Sequence, residues 1–136
     1  MARVDSRRMT PSARSVFAFG VYLAALGSTL ILIPNQFLAL FAMPPVHDVW
    51  IRAMGMCLLF FSTYHILAAR SEFVPFFKWS VYVRATVIVF FTAFVVAGWA
   101  PPSLILFGVI DLAGALWTRR TLRVWAPAIV PTSRSV

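Results

Sequence analysis

Four long apolar runs, separated by short polar joints, are the feature that most constrains what this chain can fold into. The first run, 16–33, contains 18 residues without a charged side chain. As a helix it would span about 27 Å, close to the hydrocarbon core of a bilayer. The other runs are 49–69, 79–98 and 101–118. They are too long for ordinary strands and lack the alternation of a membrane barrel. The pattern therefore predicts an all-α polytopic membrane protein, a bundle of four transmembrane helices.

The composition argues against a water-soluble domain. Hydrophobic residues make up 61% of the chain and charged residues 12%. This leaves too few polar side chains to cover a hydrophobic core in water.

A shorter apolar stretch separates the first two runs. Residues 35–43 are too few to cross a bilayer, and Pro34 and Pro44 bound them. We predict a short interfacial helix between helices 1 and 2, with an apolar loop packed on the bundle as the alternative.

The positive charges lie at the ends of the long runs. The net charge is +8, and ten of the twelve Lys and Arg lie outside the runs. These ten are Arg3, Arg7, Arg8, Arg14, Arg70, Lys78, Arg119, Arg120, Arg123 and Arg134. They precede the first run, separate the second from the third, and follow the fourth, so the positive-inside rule predicts cytoplasmic N- and C-termini. Anionic lipid headgroups account for the same charge, and we expect no nucleic-acid partner.

The chain accordingly divides into three parts. A basic cytoplasmic segment covers 1–14, the four-helix membrane domain covers 15–120, and a cytoplasmic tail covers 121–136. Arg outnumbers Lys eleven to one, as in proteins from GC-rich bacterial genomes. We expect a multi-pass protein of a bacterial inner membrane.

Ionisable side chains inside the runs are the candidates for chemistry, because each costs about 3 kcal/mol at a helix centre. The helical rise places His65, Arg84 and Asp111 within about 10 Å of the inner ends of their helices. Tyr22 falls at a similar depth. We predict that these four side chains converge on a ligand-binding site, and that Arg84 and Asp111 form an ion pair. This ion pair either serves only to hold helices together or forms part of a ligand-binding or proton-transfer site.

Arg52 lies near the outer end of the second run, away from those four residues. Asp48 precedes it by four residues, which favours a second ion pair on one helix face. His47 and His65 fall on opposite membrane faces, so the sequence predicts no metal site. We also expect no cofactor.

Small residues mark two expected packing faces. On the fourth run, Asp111 shares a face with Gly108, Gly114, Ala115 and Thr118. On the first run, Gly20, Ala24 and Ser28 recur at every fourth position.

One resemblance accompanies this pattern. The second run opens with Trp50-Ile51-Arg52-Ala53-Met54-Gly55, and a short apolar segment follows the first run. In these features residues 15–120 resemble the DoxX-like group of small four-helix bacterial membrane proteins. Where such proteins often carry a Glu soon after that Gly, this chain has Cys57, Leu58 and Leu59. The resemblance implies an accessory role in membrane redox or transport assemblies, and no catalytic residue is carried over from it.

Three classes of function fit these observations. The first is a non-enzymatic membrane protein, an accessory subunit or a binder of a lipophilic small molecule, and we prefer it. The second is a small membrane enzyme, an isomerase of an isoprenoid or sterol-like lipid, with catalytic candidates His65, Asp111 and Arg84. The third is a proton-coupled exporter that uses Asp111. Expected partners are the lipid bilayer and either a lipophilic ligand or another membrane protein. The sequence is also compatible with a homo-oligomer.

The predicted topology can be checked by cysteine labelling. In a Cys57→Ala background, His47→Cys should react with a membrane-impermeant maleimide in intact cells, because the first joint faces outward. Ser71→Cys, in the joint after the second run, should react only after the membrane is opened. Labelling of Ser71→Cys in intact cells would contradict the predicted orientation.

Overall fold

The computed structural model describes residues 9–125 of the 136-residue chain, and all its regular structure is helical. Its five helices are α1 (Pro11–Leu32), α2 (Pro34–Leu40), α3 (Trp50–Arg70), α4 (Val74–Val96) and α5 (Leu104–Trp125). The all-α class predicted from the sequence is confirmed for this part of the chain.

Three of these helices, α1, α3 and α4, are long and apolar enough to cross a membrane. Many large apolar side chains on the outside of α3 and α4 are exposed, among them Phe60, Val83 and Phe90. The fourth predicted span corresponds to α5, which differs from the other three. Asp111 divides its apolar part into two stretches of seven uncharged residues, and Arg119 ends the second.

The helix ends follow capping residues rather than the limits of the apolar runs. α1 begins five residues before the predicted span, because the Thr10 side chain accepts a hydrogen bond from the backbone N–H of Ala13 at 3.2 Å. Pro11 at the first helical position suits this start. α4 likewise begins before its predicted span, with Pro75 in its first turn. Both helices therefore begin one to two turns before their predicted spans.

Glu72 joins the beginning of α1 to the turn between α3 and α4. Its backbone is left-handed, with φ 51°. One carboxylate oxygen accepts a hydrogen bond from the backbone N–H of Thr10 at 2.8 Å, and the other accepts one from Thr10 Oγ1 at 2.7 Å. A carboxylate is favourable at this position because the N-terminus of a helix carries partial positive charge. The start of α1 and the α3–α4 turn thus lie at the same end of the bundle.

α1 and α3 form one closely packed pair, with Gly27 facing Gly55. A Cβ atom added to Gly27 would lie 2.7 Å from the carbonyl oxygen of Gly55, and the reverse distance is also 2.7 Å. Two turns away along α1, the carbonyl of Gly20 accepts a 2.7 Å hydrogen bond from Ser62 Oγ. The absence of side chains at these glycines lets the two backbones touch.

Of the small residues expected to form a packing face on α1, Gly20 lies against α3. Gly20 and Gly27 are buried, whereas Ala24 and Ser28 are only half-buried. Gly27 lies seven residues after Gly20, on nearly the same helix face, and contacts α3 together with Leu30.

α4 and α5 form the second closely packed pair. A Cβ atom added to Gly108 would lie 2.9 Å from the Cα atom of Ile88. Ala115 and Thr118, on the same side of α5, are buried. The small-residue face predicted around Asp111 is therefore a packing face of α5.

α2 lies at the opposite end of the bundle from the α3–α4 turn, because it directly follows the C-terminus of α1. The ring of Phe37 lies 5.9 Å from that of Phe107 on α5, and Phe41 lies 4.9 Å from the same ring. Asn35 Oδ1 accepts a hydrogen bond from the backbone N–H of Val46 at 2.9 Å, which closes the segment that follows. A short helix is thus present where the sequence predicts one, packed on α5.

The Gly27–Gly55 contact gives a stability prediction. Gly55→Ala should lower the free energy of unfolding by about 1–3 kcal/mol, because the added methyl group meets the backbone of α1. Thermal unfolding in detergent, followed by circular dichroism, measures this loss. Cys57→Ala, at an exposed position of the same helix, serves as the control. Equal unfolding temperatures for the two variants would contradict the proposed contact.

Candidate functional site

Arg84 is the most deeply buried charged residue among those described, with 4% of its surface exposed. It projects from α4, and its guanidinium carbon lies 3.4 Å from the ring centroid of Phe19 on α1. A cation over an aromatic face is stabilised by the ring quadrupole, more strongly where water is excluded. Arg84 thereby joins the two helix pairs.

A hydroxyl pair completes the surroundings of Arg84. Its Nη1 donates to Thr118 Oγ1 on α5 at 3.5 Å, and Ser15 Oγ of α1 donates to the same oxygen at 2.9 Å. Thr118 Oγ1 in turn donates to the carbonyl of Gly114 at 3.1 Å. Three helices therefore meet at Thr118.

The expected ion pair between Arg84 and Asp111 is not formed within residues 9–125. Nε and Nη2 of Arg84 are buried without a hydrogen-bond partner, and Nη1 bonds to Thr118. Thr118 lies two helical turns from Asp111 along α5, and the side chain reaches it because Gly114 leaves room for Nη2. The similar positions predicted for these two residues along their helices are not sufficient to bring the two charges into contact.

The second expected ion pair, between Asp48 and Arg52, is also absent from the described residues, and Arg52 has a different partner. Nη1 of Arg52 donates to the carbonyl oxygen of Ile31, in the last turn of α1. That carbonyl lies among the groups without an intrahelical partner, and a cation is favourable there because the C-terminus carries partial negative charge. Asp48 is exposed. Arg52 thus caps α1.

Tyr22 and Asp111 line a cavity of about 200 Å³, open on one side, to which all five helices contribute residues and which we call the central cavity. Its other lining residues are apolar, and they include Leu26, Leu58 and Phe91. Phe37 of α2 also lines it, so the short helix forms part of its wall. The central cavity is an apolar chamber that contains one carboxyl group and one phenol.

His65 and Arg84 line a different space of about 300 Å³, the α3–α4 cleft. His65 Nδ1 lies 2.7 Å from the carbonyl oxygen of Phe61 and donates to it, while Nε2 is buried without a partner. The imidazole lies between the rings of Phe19 and Phe76, at centroid distances of 5.2 and 5.0 Å. Aromatic packing and one backbone hydrogen bond therefore hold His65 in place.

The structure divides the four predicted residues between these two spaces. Tyr22 and Asp111 belong to the central cavity, and His65 and Arg84 belong to the α3–α4 cleft. Among residues 9–125, no three His, Cys, Asp or Glu side chains are grouped closely enough to hold a metal ion.

Sequence reasoning missed Phe19, which contacts three of the four. Its ring lies 5.6 Å from that of Tyr22, besides its contacts with His65 and Arg84. Its position three residues before Tyr22, on the same helix face, was the available signal. A buried phenylalanine among many apolar residues has no distinguishing feature in sequence.

Comparison of the chain with known protein families, with curated proteins and with solved structures finds no match. The resemblance to the DoxX-like group stays a prediction.

The placement of Arg84 can be tested through Gly114. Gly114→Ala puts a methyl group where Nη2 of Arg84 lies, and should cost about 1–3 kcal/mol of unfolding free energy. In an Arg84→Gln background the cost should shrink, because the shorter side chain leaves that position. Unfolding in detergent of the two single variants and the double variant measures the coupling.

Gly108→Ala is the matched control for this cycle. Its methyl group meets the backbone of Ile88 rather than Arg84, so its cost should be equal in both backgrounds. A cost of Gly114→Ala that is independent of Arg84 would show that the guanidinium does not occupy this position.

Proposed function

We propose that this chain is a four-span protein of a bacterial inner membrane that binds a lipophilic small molecule in the central cavity. The fourth span is α5, and both termini face the cytoplasm together with the α3–α4 turn. Binding this molecule is either the whole function of the protein or its contribution to a larger membrane assembly, of which the chain is an accessory subunit.

The position of the Asp111 side chain in the cavity wall supports the proposal that α5 is a transmembrane helix. A carboxyl group exposed to lipid is costly, and ionisable residues in membrane helices normally face the bundle interior or a cavity. Asp111 lines the central cavity. α5 also packs along α4 through Gly108, so it shares the environment of a helix that is apolar enough to cross a membrane.

The lining of the central cavity carries the proposal. Leu, Ile, Met and Phe side chains form all of its wall except Tyr22 and Asp111. An enclosed apolar cavity of about 150 Å³ is known to bind benzene, and the central cavity, although open on one side, has room for a group of at least that size. Ligand sites are typically apolar chambers with a few polar groups that fix orientation.

The enzyme alternative is less well supported by the geometry. That hypothesis requires His65 to exchange a proton with a substrate that Asp111 also contacts. His65 lines the α3–α4 cleft and Asp111 lines the central cavity, so the two do not share a substrate space in this structure.

Photolabelling with an uncharged alkyl diazirine tests the proposal on the full chain in lipid nanodiscs. We expect saturable labelling of residues that line the cavity, such as Leu26 and Phe91. Leu58→Trp should raise the half-saturating concentration about tenfold or more, because the indole fills the chamber.

Leu67→Trp provides the matched control. Leu67 is a large apolar residue of the same helix, 58% exposed, and it is not part of the cavity wall. It should leave the labelling unchanged. Labelling that does not saturate and is spread evenly over exposed residues such as Phe60 and Phe90 would overturn the proposed function.

A further inference from the structure

Tyr22 of α1 and Asp111 of α5 are the two polar residues that line the central cavity. Both side chains are half-buried. The side-chain hydrogen bonds among residues 9–125 involve neither of them. In a chamber that is otherwise apolar, an unpaired polar group is costly, and a ligand that pairs with it gains affinity.

The donors and acceptors of these two side chains restrict what can pair with both. An ionised carboxylate only accepts hydrogen bonds, whereas a phenol both donates and accepts. A hydroxyl group can donate its hydrogen to Asp111 and accept the hydrogen of Tyr22. A ketone or an ether has no hydrogen to donate, so it would pair with Tyr22 and leave the carboxylate unsatisfied.

The charge of the surrounding bundle argues for a neutral ligand. Arg84 is the nearest buried cation, and it lies on α4 beside α5, outside the cavity wall. The guanidinium and the carboxylate together carry no net charge. An ammonium group could pair with Asp111, but the bundle interior would then hold two cations against one carboxylate, and a second carboxylate would be repelled by Asp111.

We propose that the ligand of the central cavity is a neutral lipophilic alcohol, whose hydroxyl group donates to Asp111 and accepts from Tyr22. This inference rests on the proposed function, since it names the class of lipophile that the cavity selects. The alkyl part packs against Leu26, Phe91 and Phe107. At about 200 Å³, the chamber holds a portion somewhat larger than benzene, and the rest of a longer chain extends through its open side.

Competition against the same diazirine label tests this choice. Four unlabelled probes of equal chain length are compared: 1-decanol, decane, decylamine and decanoate. On the unaltered chain, decanol should displace the label at a concentration about tenfold lower than any of the other three. This comparison needs no variant, so it remains decisive even if changes at Tyr22 or Asp111 impair folding.

Two substitutions then test whether Asp111 and Tyr22 cause the preference for decanol. Asp111→Asn and Tyr22→Phe should each reduce the advantage of decanol over decane about tenfold. Asp48→Asn and Tyr82→Phe remove the same groups from exposed positions outside the cavity wall and should leave it unchanged.

The outcomes separate this inference from the proposed function. If the diazirine labels the cavity but decane competes as well as decanol, or decylamine competes better, the cavity binds lipophiles and the alcohol assignment is wrong. If the diazirine shows no saturable labelling of the cavity, the proposed function fails and the alcohol assignment fails with it.

Discussion

The close approach of helix backbones at glycine is the contact on which the rest of this structure depends. Gly27 and Gly55 bring α1 against α3, and Gly108 brings α5 against the backbone of Ile88 on α4. In a bilayer, lipid tails are as apolar as leucine, so burial of apolar surface contributes little to helix association. Close van der Waals packing and interhelical hydrogen bonds contribute instead, and both require backbones at short distance. The bundle is therefore built as two tight pairs.

The two cavities that could hold a ligand lie between these helix pairs. The two pairs meet directly at Ser15 and Thr118, and elsewhere two cavities remain between them. Phe19 and Arg84 bridge the pairs by a cation–aromatic contact, with Thr118 as the hydrogen-bond partner of the guanidinium. Because Arg84 is held in this way, Asp111 remains free to face the central cavity. A buried cation that packs on an aromatic ring thus leaves a carboxyl group available to a ligand.

Much of this arrangement could be predicted from the sequence. The remainder depends on contacts between residues that are distant in the chain. Helical rise places His65, Arg84 and Asp111 at comparable depths from residue numbers alone. The rotation of each helix about its axis, and the neighbour that each face meets, depend on contacts between distant parts of the chain. Gly27 and Gly55 are 28 residues apart in sequence, and no local pattern shows that they touch. For the same reason, Arg52 was matched with nearby Asp48 although it caps the end of α1.

Local sequence is sufficient to predict the helical class, the positions of the long apolar helices, a short helix before α3, and the small set of polar residues inside the apolar runs. These properties follow from local composition and periodicity, which act over one or two helical turns. The division of the polar residues, with Tyr22 and Asp111 in one cavity and His65 and Arg84 in another, follows from how the helices pack. The physical reason is that steric fit at glycine contacts sets the rotation and spacing of each helix, and this fit involves residues that are remote in the chain.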